Sequence, residues 1–464
     1  MTFRKANFVA YRVGFRVAAA AVLFAVGSAS VLFAQQANFD QLTKENLIGN
    51  AVSFSNNDYA EIDKAIQRFR NGDGQGAMEF LKTAKEKYPS LPPAELIYAK
   101  MHFAIRNANA ARAGQILLEQ TVAQVPDDPE AYLLLADQAF AGRRIAEAHA
   151  LFEMVDPLVQ KFSGNAKRKQ DFSIRVLAGR AAIAESRQQW EEAQKWLLEW
   201  AELSPESAAA HRRLGATLFH LKKPKEALER FRKSRELDPS VSHPFVALGQ
   251  LFSREGDAEN AQKSFEKAYA EDKDDPSTAQ AYVEWLVQEN KLDEAQAIAN
   301  AMRELTPDSV TALMLDGIVA QMRGDTEQSK QAMTKILTLD PAHFIATDLL
   351  ALLLIESDLA ADQDRALSYA EMNAQRFPEN ARANITKAWV LYKMGRNEEF
   401  KLALEKVGRN QVPLDSAFLI AKIMIEQGKK DAAINELEKL MQQGSGLFVF
   451  RREAEALLTQ LKSE

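Results

Sequence analysis

Along most of this chain apolar residues recur every three or four positions, the spacing of a helix that buries one face, and the apolar runs come in pairs. Around the stretch HRRLGATLFHLKKPKEALERFRKSRELDP, residues 211–239, one run extends from Ala208 to Leu221 and breaks at KKPK. It resumes from Glu226 to Leu237, ahead of Asp238-Pro239. The pattern predicts two antiparallel helices. Steps of 34 residues meet it again: Ala193, Ala227, Ala261, Ala295 and Ser329 are equally spaced, each small and each in the first turns of a predicted second helix. A small residue is expected where two helix backbones approach closely, because a larger side chain would hold them apart. Four positions on, Leu197, Phe231, Phe265, Ala299 and Met333 fall on the same face as packing residues. Pro205, Pro239, Pro307 and Pro341 then predict where second helices end, since proline lacks an N–H and restricts its predecessor.

With small slips the register extends to Ala77, Gly114, Ala148, Ala366, Phe400 and Ala433, giving about eleven hairpins. Phe400 stands where a small residue is expected, which predicts a locally splayed repeat. The step from Ala148 to Ala193 is 45 residues and contains KFSGNAKRKQDF. It predicts a longer second helix and a basic turn, a flexing point between an N-terminal block, 58–165, and a C-terminal block, 166–443. The hairpin after Pro341 is stretched around SDLAADQD. Residues 444–464 predict an amphipathic capping helix that keeps the last apolar face from water.

The stretches HRRLGATLFHLKKPKEALERFRKSRELDP and FVALGQLFSREGDAENAQKSFEKAYAED, with their Leu214-Gly215 and Leu248-Gly249 pairs, resemble the tetratricopeptide repeat, a 34-residue helix-turn-helix unit. The resemblance covers roughly 58–443. It implies an all-α fold, a right-handed superhelical solenoid of helix-turn-helix repeats with a C-terminal capping helix. It also implies that first helices line a concave groove that holds peptides or partner helices. In that register Arg212, Phe219, Gln250, Arg254, Glu284 and Gln288 fall in the middle of the groove. Met314, Ile318, Met322, Ile355, Trp389 and Tyr392 fall in a more apolar stretch toward the C-terminus, suited to an amphipathic helix or an extended apolar peptide. The competing reading is that these residues bury one another between repeats. The carboxylate clamp of some family members needs Asn where this chain has Asp137, Ala216, Gln250 and Glu284, so that mode of recognition is not expected.

The N-terminus departs from the repeat pattern. Arg4, Lys5, Arg12 and Arg16 precede an uncharged apolar run of 18 residues, Val17–Ala34. Residues 1–34 therefore read as a signal peptide, cleaved near Gly27-Ser28-Ala29 or after Leu32-Phe33-Ala34, or as a retained membrane anchor with its basic end in the cytoplasm. Either places the repeats outside the cytoplasm, periplasmic or tethered to an inner membrane, and the membrane is met only through this segment if it is uncleaved. Residues 35–57 are polar and mixed and read as a tether or a loose leading helix.

Composition removes several functions. The chain has 464 residues and no cysteine, which excludes disulfides, thiolate metal sites, cysteine nucleophiles and a lipidated N-terminal cysteine. A net charge of −6, with the basic N-terminus included, gives no overall attraction for nucleic acid. Leader, tether, repeats and cap use the whole chain, leaving no span for a catalytic domain, and no phosphate loop, H-E-x-x-H or G-x-S-x-G motif occurs. The six histidines lack metal-site spacing, and Trp200 falls on a packing position while Trp190 and Trp196 are less constrained. The expectation is a non-catalytic scaffold, adaptor or assembly factor of the cell envelope that binds a protein partner of unknown identity, with no cofactor, metal or nucleic acid. The alternative is a carbohydrate- or peptidoglycan-binding module stacking sugars on Trp389, Tyr392 and Phe219.

Overall fold

A computed structural model describes residues 42–54, 57–105, 107–407, 412–442 and 448–463, and the described residues are helical with no strand. They pack as two compact units that divide between Leu251 and Phe252. In the N-terminal unit a short helix α1 (Lys44–Ile48) precedes the pairs α2 and α3 (Ala60–Arg70, Gly74–Lys87), α4 and α5 (Ala94–Ala104, Ala108–Gln124) and α6 and α7 (Pro129–Ala141, Ile145–Lys161). The pairs α8 and α9 (Ala166–Ser186, Trp190–Leu203) and α10 and α11 (Ala208–His220, Pro224–Leu237) follow, and the division falls inside α12 (Pro244–Glu255).

The C-terminal unit continues with α13 (Ala258–Glu271), α14 and α15 (Pro276–Gln288, Leu292–Leu305), α16 and α17 (Val310–Arg323, Thr326–Leu339) and α18 and α19 (Phe344–Leu354, Ala360–Arg376). It closes with α20 and α21 (Ala381–Lys393, Asn397–Glu405), α22 and α23 (Leu414–Glu426, Lys430–Gln442) and the capping helix α24 (Arg451–Ser463). The order is that of the expected hairpins. The apolar run Val17–Ala34, on which the leader or anchor reading rests, lies outside the described residues. Among the described ones no helix is long and apolar enough to cross a membrane.

The close approach of paired helices is visible in side-chain exposure. Ala193, Ala227, Ala261, Ala295 and Ser329 are all fully buried, as are Leu197, Ala299 and Met333. In the opening hairpin the tightest point is Gly215, where a Cβ would lie 2.7 Å from the Phe231 ring and 3.1 Å from the Ala227 carbonyl oxygen. Helices α9, α11, α15 and α17 each end two residues before proline, at Leu203, Leu237, Leu305 and Leu339. The intervening Ser204, Asp238, Thr306 and Asp340 all leave the helical region, and Asp238 and Asp340 take the extended backbone that a following proline favours.

A second 34-residue phase lies in the turns. Gln188 and Lys222 in one unit, and Gly256, Asn290 and Gly324 in the other, have φ between 57° and 89°. In each case the next residue's N–H returns to a carbonyl five positions back, as Lys223 does to Leu218 at 2.9 Å and Asp325 to Ala320 at 2.8 Å. This left-handed closure satisfies a helix-terminal carbonyl and reverses the chain.

Three expectations meet the structure at particular residues. Within 35–57, read as a polar tether, Leu42, Leu47, Ile48, Ala51 and Val52 are buried against Leu91, Ile97 and Met101. Asn165 and Lys167 donate to the Ala51 and Gly49 carbonyls at 2.8 and 2.7 Å, so this part packs as a leading helix and not as a tether. At the expected flexing point lies a buried ion cluster. Arg168 reaches Asp128 at 3.0 Å and Glu130 at 2.6 Å, and Lys100 reaches Glu130 at 2.8 Å. Burial alone would push the Glu130 carboxyl up, but Lys100 and Arg168 outweigh it and hold it down at about 2. The excess length there goes into α7, with 17 residues, and α8, with 21. At Phe400 the larger side chain is buried beside Tyr392, and α21 is only 9 residues long.

Gly215→Ala is expected to destabilise the chain by about 1–3 kcal/mol through overpacking against Phe231. Urea unfolding measures it, and an unchanged midpoint would contradict the close approach.

Candidate partner-binding groove

The first helices of the C-terminal unit are α14, α16, α18, α20 and α22. In α16 every residue from Ala312 to Met322 is buried, and in α18 every residue from Ala346 to Leu354. A helix packed only against its own hairpin and its neighbours leaves one side to solvent, so burial all round requires a further cover. The chain's own C-terminus contributes to it. Phe448, Val449 and Phe450, exposed by 3%, 5% and 6%, belong to one continuous apolar core with Met314, Ile318, Met322, Ile355, Trp389 and Phe418. Phe418 packs against both Phe448 and Phe450, with ring centroids 6.1 Å apart in each case.

Polar contacts fix the segment's direction. Phe450 N–H donates to Asp415 Oδ1 at 3.3 Å, at the start of α22. Beyond it, Gln321 Nε2 donates to Glu453 at 3.2 Å and Arg452 Nη1 to the Arg323 carbonyl at 2.5 Å, both on α16. The far end of α24 returns to its neighbour α23 through Lys462 and Glu438, 2.6 Å apart. A cleft of about 460 Å³ remains where Val449 and Arg452 meet Leu292, Asp293, Met322 and Arg323.

Under this segment lies an acidic pair bridged by one arginine. Arg382 Nε lies 2.6 Å from Asp348 and its Nη1 lies 3.8 Å from Asp415, the three standing on α18, α20 and α22. Side-chain exposure is 17% for Arg382, 0% for Asp348 and 6% for Asp415. Burial pushes the Asp415 carboxyl up, against the opposing pull of Arg382 and of the Phe450 and Val449 N–H groups. Two charges of one sign and one of the other therefore sit at the base of the docked segment.

The twelve residues assigned to the groove divide by chemistry. Arg212, Gln250, Arg254 and Gln288 are exposed, and Glu284 and Tyr392 are half-buried. Phe219, Met314, Ile318, Met322, Ile355 and Trp389 are buried. Five of these six share the core that includes the C-terminal segment. Trp389 is also covered by Lys422, whose Nζ lies 4.4 Å from the ring centroid, and by Tyr392, stacked at 6.2 Å. Lys422 and Lys393 both reach Glu356, at 3.4 and 3.1 Å, closing a polar lid over the indole. Trp389 and Phe219, at 2% and 3% exposed, present no open ring face for a sugar. Glu284 accepts from Gln280 at 2.8 Å, and burial pushes its carboxyl up. Trp200 is buried, as its packing position requires. The reading of the residues had missed Phe448, Val449, Phe450, Asp415 and Gln321 as parts of this face.

Two tetratricopeptide repeat family models match the chain, over residues 177–242 and 253–315. With the hairpin order and the 34-residue phase, they support a tetratricopeptide-repeat protein. Over these residues the chain carries tetratricopeptide repeats. No curated protein matches it. Among solved structures it is similar to a tetratricopeptide repeat protein from Parabacteroides merdae, at 17% identity and TM-score 0.41, covering 55% of this chain and 98% of that one. It is also similar to yeast Tom70, at 15% identity and TM-score 0.34, covering 87% and 95%. A third is YrrB, described as a tetratricopeptide-repeat protein with an unusual peptide-binding site, at 18% identity and TM-score 0.29, covering 40% and 95%. Superpositions at these scores carry no argument about what this tetratricopeptide-repeat chain binds.

Arg382→Ala is expected to cost about 3–5 kcal/mol by leaving Asp348 and Asp415 buried without a countercharge. The folded chain then favours the protonated carboxyls more than the unfolded chain does, so the variant loses stability as pH rises from 4 to 7. Urea unfolding at the two pH values checks this, and a deficit that shrinks toward pH 7 would contradict it.

Proposed function

We propose that the chain is a non-catalytic protein-interaction scaffold, an adaptor or assembly factor of the cell envelope, that binds peptide or helical segments of partner proteins along the first helices of its repeats. Tetratricopeptide repeats serve in general as protein-interaction scaffolds, and that general role is the firm part. The observation that carries the finer reading is the seating of the chain's own aromatic-led helix against α16 and α22, since a face that holds one such segment has the chemistry to hold another. Recognition by a preformed face limits the ordering cost of binding to the incoming segment. The envelope location rests on the basic and apolar N-terminal sequence alone. With the Trp389 and Phe219 rings covered, the glycan-stacking alternative is not carried further.

The test compares the intact chain with an Arg254→Glu, Gln288→Lys variant in affinity capture from envelope extract. Both side chains are exposed, so each substitution changes stability by no more than about 0.5 kcal/mol. A protein retained by the wild type and lost by the variant is the expected result. Equal capture by both would contradict binding along α12 and α14.

A further inference from the structure

The geometry points to Phe448–Ser463 as a resident, displaceable occupant of the face formed by α16 and α22, whose place is taken by a partner segment of the same chemistry. That segment is an aromatic–apolar–aromatic triplet leading into a helix with a basic first turn. The inference rests on the proposed binding function and names its ligand and its control.

Three observations carry it. The apolar face is complementary to something specific: Phe418 takes two phenyl rings, and Val449 belongs to the same apolar core as Met322. The polar contacts define how an occupant must enter. Asp415 accepts a backbone N–H just ahead of the occupant's helix, where a carboxylate both caps the helix and meets the positive end of its dipole. The Arg323 carbonyl, at the end of α16, accepts from a cation in the occupant's first turn, the role that Arg452 fills. Thus the direction, the aromatic spacing and the charge of the first turn are all specified by residues that belong to the face.

The resident segment is also lightly held. Among the residues of α24 only Ala454 and Leu461 are buried, against seven in α22 and nine in α20. Its attachment is therefore concentrated in Phe448–Phe450 and a few polar contacts, and a helix with so few buried residues opens locally before the unit unfolds. Such an arrangement makes the own segment a competitor at high effective concentration, which a partner overcomes by matching the triplet and adding contacts beyond it.

The chain has no cysteine, so Gln321→Cys, Glu453→Cys places a unique pair across the contact between α16 and α24 that a short bismaleimide can bridge. The probe is a fluorescent synthetic peptide of residues 448–463, added to the full-length chain. The peptide should bind the unbridged protein and bind the bridged protein at least tenfold more weakly. A Phe450→Ala full-length chain, whose own segment is weakened, should bind the peptide at least tenfold more tightly than wild type, and a peptide with the same substitution should bind more weakly. Equal binding to bridged and unbridged protein, or no binding to either, overturns the inference. If the bridged chain still captured the envelope partner that Arg254→Glu, Gln288→Lys loses, the scaffold function would stand and the displaceable occupant would fall.

Discussion

In the described hairpins, all but the one built on Phe400, two helix backbones run side by side at a residue no larger than alanine or serine, and everything else is arranged around that approach. Because Ala193, Ala227, Ala261, Ala295 and Ser329 are spaced by 34 residues and have no exposure at all, each second helix is locked to its partner at the same depth. The packing residue one turn later, Leu197 or Met333 for example, then finds its pocket without further adjustment. The left-handed turn residue, also 34 apart, brings the chain back at the distance this approach requires. A hairpin built in this way buries one face within itself and one against its neighbours, and it leaves the outward side of its first helix to be dealt with separately.

The chain deals with that side differently along its length. Polar residues such as Arg254 and Gln288 leave it open to solvent on α12 and α14. On α16 and α18 it is apolar, and exposing so large a patch would invite nonspecific association. The C-terminal segment joins that apolar core with three consecutive buried residues. Independently, in the N-terminal unit, residues 42–52 pack against α4 and bond to α8. In each unit a terminal stretch does what a partner segment would otherwise do.

How much of this could be read from the sequence depends on how local the cause is. Helix ends before Pro205, Pro239, Pro307 and Pro341 were legible because proline acts on its immediate neighbours. Trp200 was legible as core because the repeat register assigns its face. The break at KKPK was legible too, but the left-handed conformation of Lys222 was not, since lysine leaves no mark that glycine would leave at Gly256 or Gly324. Phe448–Phe450 could be recognised as part of a cap, but their reach to α16 could not. Contacts between Gln321 and Glu453 depend on how successive repeats stack, a sum of small rotations that no single residue encodes. The signal that was available is the all-round apolar character of FIATDLLALLL, residues 344–354, which calls for a cover on every side. Groove residues chosen by register alone mixed two classes: side chains that meet solvent, such as Arg212 and Gln250, and side chains already occupied, such as Ile318 and Trp389.

The most direct measurement is hydrogen–deuterium exchange on the intact full-length chain, followed by mass spectrometry of fragments covering α16 and residues 448–455. The account predicts protection in both regions, weaker in 448–455, which opens locally, than in α10 and α11, with protection lost from both 448–455 and α16 when Phe450 is replaced by alanine and kept in α10 and α11. No protection of 448–455 at all, or an α16 indifferent to the substitution, would mean that the chain's own C-terminus is not what covers this face.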